Sequence, residues 1–535
     1  MQRRFWWQTG VIYQIYPRSF QDSNDDGIGD LRGITQRLPY LVELGVDAIW
    51  LSPIFPSPMA DFGYDISDYT GIDPLFGNLD DFDALLAAAH AQGLKVILDL
   101  VPNHTSDRHP WFLESRASRR SRKRDWYIWR DPAANGGPPN NWLSVFGGSA
   151  WEYDGASGQY YYHAFLAAQP DLNWRNPAVR SAIYEVMRYW FRRGVDGFRV
   201  DAVWHLIKDG EFRDNPPNAG FRATDPPHHR LVPLYTVDRP EVHDLIAEMR
   251  RVADEFPDRL LIGEIYLPVE RLVAYYGRDL SGVHLPFNFS LLSASWCAPA
   301  IARLIGEYEA ALPVGGWPNW VLGNHDRPRI ASRVGPHQAR IAAMLLLTLR
   351  GTPTVYYGDE IAMKDVAIAP AQVCDPLEKN IPGRGLGRDG CRTPMRWDRT
   401  THAGFSSVEP WLPLGDALDK HNVVSQRGDN TSMFQLYRRL MDLRRKRPAL
   451  SLGSYGSVRA DGNLLVFTRE HGREQLLVAL NFDGTPVAAS LPSGECIGRL
   501  LVSSAADRAG EPVRGSLNLR ANEGAIVELS DGSAK

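Results

Sequence analysis

Eight short apolar runs, each set apart from the next by a longer stretch, constrain this 535-residue chain more than any other feature. The runs are Val11–Tyr16, Ala48–Ser52, Val96–Val101, Gly197–Val200, Leu260–Ile265, Val283–Phe287, Trp320–Leu322 and Thr354–Tyr357. Amphipathic stretches such as Leu79–Gln92, Pro177–Arg193, Pro240–Phe256 and Gln338–Arg350 lie between them, the first with Asn78 as an N-cap and Gly93 after its end. Near-continuous apolar strands alternating with helices predict a parallel sheet covered on both faces. Eight such units predict an α/β chain closed as a (β/α)8 TIM barrel, whose chemistry would sit at the carboxyl ends of the strands.

The barrel does not use the whole chain, because 535 residues exceed what one core of ordinary size needs. Residues 103–173, rich in Trp, Tyr, Asn, Gly and Pro, are too long for a strand-to-helix connection and predict a small domain inserted over the active face. Residues 359–429 carry Gly and Pro without periodicity and predict an extended loop or subdomain bordering the same face. After a helical stretch Phe434–Arg447 and Pro448, short alternating runs such as Leu464–Arg469 and Gln475–Asn481 predict a separate all-β sandwich over 451–535. The barrel is therefore assigned to 1–102 and 174–450.

Several function classes are disfavoured. A net charge of -4 supplies no basic stripe for nucleic acid. No apolar run reaches the roughly 18 residues of a spanning helix, and residues 1–8 hold no apolar core of a signal peptide, so a cytoplasmic protein that avoids membranes is expected. Cysteines at 297, 374, 391 and 496 have neither metal-ligand spacing nor the density of a disulfide scaffold. The 16 Trp and 21 Tyr, many beside Asp, Asn and His, suit the apolar faces and hydroxyl rims of sugar rings.

Polar groups collect at four strand ends. The third run leads through Asp99-Leu100-Val101-Pro102-Asn103 to His104, the fourth ends Arg199-Val200-Asp201, the fifth Gly263-Glu264-Ile265-Tyr266, and the seventh Gly323-Asn324-His325-Asp326. Side chains two apart on a strand share a side, so Arg199 and Asp201 face one cavity, and the guanidinium is expected to lower the pKa of Asp201. Burying this many carboxylates costs several kcal/mol each unless they are paired or used.

These four segments resemble the four signature regions of the α-amylase superfamily, glycoside hydrolase family 13, and the likeness extends over essentially the whole chain. It includes Val11-Ile12-Tyr13-Gln14-Ile15-Tyr16-Pro17-Arg18-Ser19-Phe20 near the start. It also includes Gln169-Pro170-Asp171-Leu172-Asn173-Trp174 and Gly387-Arg388-Asp389-Gly390-Cys391-Arg392-Thr393-Pro394-Met395, which are similar to α-glucosidases and oligo-1,6-glucosidases. The resemblance implies Asp201 as nucleophile, Glu264 as general acid/base and Asp326 as transition-state stabiliser, the carboxylate pair of a retaining glycosidase. Glu264 must be neutral when it donates its proton, so its pKa is expected to be raised. The resemblance further implies that Asp61 and Tyr64 grip a terminal glucose, that His104 and His325 bind its hydroxyls, and that Phe165 walls it. Arg392, or Arg388 beside it, would pair with an Asp to close the pocket end and confine attack to the terminal glucose.

Asp22-Ser23-Asn24-Asp25-Asp26-Gly27-Ile28-Gly29-Asp30 has oxygen ligands at alternate positions and glycine at the turn, as a calcium loop does. Its expected ligands are Asp22, Asn24, Asp26, the Ile28 carbonyl and Asp30, for a structural Ca2+, with Mg2+ open. Ala202 follows the nucleophile, where family members that prefer α-1,4 links carry Ala or Thr and those that prefer α-1,6 links carry Val. The resemblance thus implies an exo-acting α-glucosidase on maltose and malto-oligosaccharides with some transglucosylation. An oligo-1,6-glucosidase and an isomerase of the trehalose synthase or sucrose isomerase type stay open, although the arginine-rich loop of sucrose isomerases is not seen. The non-catalytic transporter heavy chains of this superfamily lack the carboxylates that this chain keeps. A small oligosaccharide is the expected partner, and monomer and homodimer are both open.

Overall fold

The computed structural model of the protein describes residues 5–492 and 496–530. The first four residues of the stretch scanned for a leader, and residues 493–495 and 531–535 of the C-terminal segment, lie outside the described residues.

Eight parallel strands form the barrel: β1 (Ile12–Ile15), β2 (Ala48–Leu51), β3 (Lys95–Leu100), β4 (Gly197–Val200), β5 (Leu260–Gly263), β6 (Leu285–Pro286), β7 (Asn319–Val321) and β8 (Thr352–Tyr356). They pair in the order β7-β8-β1-β2-β3-β4-β5-β6, and a parallel bridge between Asn288 and Trp320 closes the remaining gap. Alternation along each strand divides its side chains between two cores. Ile12, Ala48, Trp50, Ile97, Leu260, Ile262, Leu285 and Val321 share the inner core. Their neighbours Tyr13, Ile49, Leu51, Val96, Leu98 and Leu261 join the outer one. The sixth strand is shorter than the expected Val283–Phe287, because Pro286 has no N–H to extend a ladder.

Helices cover the outside. Pro177–Arg193 (α1) matches its expected limits, with Asn176 capping its start and Gly194 in the left-handed region at its end. The helix expected over Gln338–Arg350 runs over Ile330–Thr348 (α2), with a break at Gly335 (φ 78°) and Pro336.

The insertion after β3 holds the helix Pro110–Ala117 and a three-stranded antiparallel sheet of Trp129–Arg130, Trp151–Asp154 and Gln159–Tyr162, with the last in the centre. The bridges His104–Asp171 and Tyr127–Leu172 tie its two ends together at the barrel mouth. Residues 359–429 form only short helical turns, as their composition predicts.

The C-terminal strands are β9 (Ser454–Asp461), β10 (Leu464–His471), β11 (Glu474–Asn481), β12 (Val487–Ser490), β13 (Ile497–Ser503), β14 (Pro512–Arg514), β15 (Ser516–Leu519) and β16 (Gly524–Ser530). They hydrogen-bond as one antiparallel sheet in the order β9-β10-β11-β16-β13-β14-β15-β12. The sheet folds over itself as a sandwich does: Leu464, Val466, Leu477, Ala479, Ala525 and Val527 pack with Ala489, Val513, Leu517 and Leu519 from its other end. Leu465, Phe467, Leu476, Val478 and Ile526 face the other way and join the core of the barrel.

Candidate active site

The site starts from register. Asp99 on β3 is the pairing partner of Arg199 on β4, so the two side chains enter the barrel mouth side by side. Arg199, 1% exposed, donates from Nη1 to Asp99 Oδ1 at 2.7 Å and to Asp201 Oδ1 at 2.6 Å, and from Nη2 to Glu264 Oε1 at 2.8 Å. Asp201 and Glu264 are thereby held on the two terminal nitrogens of one guanidinium. Two carboxyls sharing one guanidinium suit the close pair of a retaining glycosidase, about 5 Å apart, better than the roughly 6.5–9.5 Å of an inverting one.

Ala202 occupies the left-handed region (φ 44°, ψ 36°), an uncommon conformation for a residue with a Cβ. It turns the Ala202 N–H onto Glu264 Oε2 at 2.8 Å, so the residue after Asp201 also positions Glu264. Asp326 is the carboxylate that meets solvent, its side chain 24% exposed, and its Oδ1 accepts from Arg392 Nη2 at 2.9 Å and from Arg388 Nη1 at 3.2 Å. The structure thus brings the three expected carboxylates into one cluster.

Their protonation departs from expectation in one respect. Arg199 was expected to hold Asp201 low, but burial pushes Asp201 well above the ordinary carboxylate range and the neighbouring Glu264 adds to the effect. The guanidinium charge is divided among three buried carboxyls, which is why it cannot hold one of them down. Burial raises Glu264 as expected, Arg199 opposes that, and the charge of Asp326 adds to it. Both carboxyls are thus pushed toward holding a proton, and they titrate as a pair. Asp326 behaves oppositely: burial would raise it, but its ion pairs hold it well below the ordinary range. His325 is buried and pushed down to about 3, so near neutrality its ring is uncharged and Arg388 and Arg392 supply the attraction.

The sugar-gripping residues surround this cluster. Tyr64 lies parallel to His325 with ring centroids 5.3 Å apart, and its hydroxyl donates to Asp99 Oδ2 at 3.0 Å and lies 2.7 Å from His325 Nε2. Gln14 Nε2 contacts His325 Nδ1 at 2.8 Å, which fixes the ring. His104 Nε2 contacts the Tyr64 carbonyl at 3.0 Å, and burial pushes the ring down to about 4. Phe165, half-buried, packs at 5.2 Å from His104.

The end of the pocket corrects one assignment. Arg388, not Arg392, pairs with Asp61, at 2.7 Å. Arg392 reaches inward instead, donating from Nε to the His325 carbonyl at 2.7 Å and from Nη2 to Asp326. The three residues between them form a 3-10 turn, Asp389–Cys391, that points the two guanidiniums in different directions.

Sequence reasoning missed Asp375, Gln169 and the role of Asp99. Asp375 clamps Arg388 at 2.6 Å from a loop without periodicity, so no pattern marks it. Gln169 contacts Asp61 Oδ2 at 3.4 Å and His104 Nε2 at 3.1 Å. Asp99 was legible in principle, since adjacent parallel strands put it beside Arg199.

The loop expected to hold calcium closes on its own donors. Asp22 accepts from the backbone N–H groups of Asn24, Asp25 and Gly27 and from Ser406 Oγ. Asp30 is turned away to accept from Ser23 and to cap the following helix at the Gly33 N–H. Among the described residues no three His, Cys, Asp or Glu side chains converge as a metal site. Of the five expected ligands, Asp30 also serves as the cap of the helix that follows.

Eight parallel strands carrying three clustered carboxylates at their carboxyl ends define a sugar-cleaving barrel enzyme. A sequence profile of the alpha-amylase catalytic domain matches residues 14–453. The chain is 45% identical over 505 residues to a probable alpha-glucosidase of Rhizobium meliloti, covering 91% of each. It is 39% identical over 523 residues to an oligo-1,6-glucosidase of Parageobacillus thermoglucosidasius, covering 90% of this chain and 92% of that protein. The solved structure of an alpha-glucosyl transfer enzyme, XgtA, superimposes with a TM-score of 0.92 at 40% identity, covering 98% of this chain and 100% of that one. The chain belongs to the α-amylase family of glycoside hydrolases, family 13.

Proposed function

We propose that the protein is a retaining, exo-acting α-glucosidase that releases α-glucose from the non-reducing end of maltose and short malto-oligosaccharides. The observation that carries this reading is the Arg388 clamp on Asp61 and Asp375 beside Asp326, which supports a pocket closed one sugar beyond the cleavage point. A closed end admits a chain terminus and excludes internal bonds.

In this reading Asp201 attacks the anomeric carbon while Glu264 passes its proton to the leaving oxygen, and Glu264 then takes a proton from water as the glucosyl-Asp201 bond breaks. Arg199 bonds to both carboxyls, which supports their acting together in the double displacement. Asp326, kept ionised by two arginines, is placed to bind ring hydroxyls and stabilise the oxocarbenium-like charge. Transfer to an acceptor alcohol shares the glucosyl intermediate, so some transglucosylation is part of the proposal. Ala202 supports α-1,4 over α-1,6 links.

Incubation with maltose, isomaltose, trehalose and sucrose tests the reading by its products. Free glucose from maltose is expected first. Trehalose or a sucrose isomer as the main product sinks the hydrolase reading in favour of an isomerase, and faster cleavage of isomaltose moves it to an oligo-1,6-glucosidase.

A structural calcium in the 22–30 loop remains part of the proposal on the oxygen chemistry of Asp22, Asn24, Asp26 and the Ile28 carbonyl. An increase in melting temperature with Ca2+ that EDTA reverses supports it, and equal melting in both rejects it. Cytoplasmic location is likewise proposed. Among the described residues no helix is long and apolar enough to cross a membrane.

A further inference from the structure

Between the inserted domain and the segment that follows the nucleophile, stretches 119–130 and 206–212 enclose a cavity of about 320 Å³. Its walls include none of Asp61, Asp201, Glu264, Asp326 or Arg388, so it is separate from the sugar pocket. Four guanidiniums, those of Arg119, Arg124, Arg130 and Arg175, line it together with Lys208. The carboxylates on its wall are Asp125 and Asp209, and Asp209 is already spent on Arg213 at 2.6 Å.

Two of the arginines lie over aromatic rings and form no ion pair among the described residues. Arg124 lies over the Trp129 ring at 3.5 Å and is tied to the Ser115 carbonyl, Ser157 Oγ and Gln159 Oε1, while its Nε is buried with no partner. Arg130 lies over the Phe212 ring at 3.7 Å and donates to the neighbouring Trp129 carbonyl. Among the described residues neither forms an ion pair with a carboxylate. Arg116 of the same domain shows the ordinary solution, reaching Asp154 at 2.8 Å. Burial pushes Arg124 down to about 10 and lowers Arg130 as well. Arg124 is part-buried and Arg130 exposed, and a part-buried guanidinium without a carboxylate is costly unless an anion meets it. The geometry points to a phosphate-bearing small molecule as the occupant.

Three features select that chemistry. Planar guanidiniums in fixed orientation match the oxygens of a phosphate and bind it in charge-assisted pairs. The aromatic faces of Trp129 and Phe212 are already covered by arginine, so they are not open for a neutral sugar to stack on. The volume, at the lower end for small-molecule pockets, admits free phosphate or a phosphorylated monosaccharide. On the inner side, Lys208 bonds to Asp171 and to Asn103 Oδ1 at 2.8 Å, and Asp171 accepts from the Ala164 N–H beside Phe165 at 2.7 Å. The cavity wall is therefore continuous with the segment that carries a wall of the sugar pocket.

The test follows thermal unfolding of the full chain as inorganic phosphate is added at constant ionic strength, with chloride as the balancing salt. A saturable rise in melting temperature is expected, weakened roughly tenfold or more in Arg130→Gln, which alters an exposed side chain, and lost in Arg124→Gln with Arg130→Gln. Circular dichroism and maltose hydrolysis of the variants, both expected unchanged, separate loss of the site from loss of fold and from failure of the glucosidase reading. Glucose 6-phosphate and glucose 1-phosphate form the other arms: tighter binding than phosphate identifies a sugar phosphate, and equal binding identifies free phosphate. A rise that does not saturate, that persists in the double variant, or that is absent overturns the proposal.

Discussion

Arg199 is the residue on which the chemistry balances. One guanidinium spans Asp99, Asp201 and Glu264, and burial outweighs it, so the pair holds a proton that neither carboxyl would keep in water. The sign for activity follows. Productive enzyme has one proton on the pair, so kcat/KM falls in acid as the second proton binds and falls in alkali as the shared one leaves. Asp326 is held well below the ordinary carboxylate range and adds no limb of its own near neutrality. In Glu264→Gln, assayed with a dinitrophenyl glucoside whose leaving group needs no proton, the alkaline limb of kcat/KM should disappear and the acid limb remain. Persistence of the alkaline limb removes Glu264 from the acid role. Arg388→Ala leaves Asp61 and Asp375 buried without counter-charge, a loss of roughly 3–5 kcal/mol by the measure of broken buried pairs. The expected result is kcat/KM on maltose lowered by two orders of magnitude or more, mostly through KM, together with new cleavage inside longer malto-oligosaccharides.

At the scale of elements, β4 and the residue beyond it do most to shape the site. Gly197–Val200 ends with Arg199 turned inward, and Ala202 breaks the strand in a left-handed turn that brings its N–H to Glu264. A β-branched residue is strained at φ 44°, at a cost of about 1–3 kcal/mol. Ala202→Val should therefore lower the melting temperature and disturb the Glu264 contact while raising the ratio of isomaltose to maltose hydrolysis. An unchanged ratio separates the residue from linkage choice.

Much of this was readable from the chain. The strand ends marked out Asp201, Glu264 and Asp326 among other polar groups, and the resemblance to the α-amylase superfamily gave the three their roles. The limits of α1 were readable because Asn-Pro begins it and Gly ends it. What escaped is non-local: Asp375 reaches Arg388 from an aperiodic loop. The choice between Arg388 and Arg392 depended on a turn with no sequence signature. The 22–30 loop shows a pattern that serves two ends, since Asp30 fits both a cation-loop position and the N-cap of the helix that follows.

Across the whole molecule, the C-terminal sheet is a structural partner of the barrel more than an appendage. Leu465, Phe467, Leu476 and Val478 are buried in the core they share with α2, and Gln338 of that helix donates to the Asn481 carbonyl and to Asn522. Ending the chain after Gly453 exposes that apolar face, so the truncated protein is expected in the insoluble fraction or as aggregate by gel filtration. A soluble, active truncation would show the interface to be dispensable. The inserted domain works differently, fixing Gln169 and Phe165 over the mouth through the bridge from Asp171 to His104.

The claim beneath all of this is that Asp201 forms a covalent bond with glucose while Glu264 stands beside it. Glu264→Gln incubated with 5-fluoro-α-glucosyl fluoride, then digested and mapped by mass spectrometry, tests it most directly. The account predicts one fluoroglucosyl group on the peptide that contains Asp201, at that side chain. Labelling of Asp326 or of any other residue, or no adduct while fluoride is released at the steady rate of turnover, would contradict it.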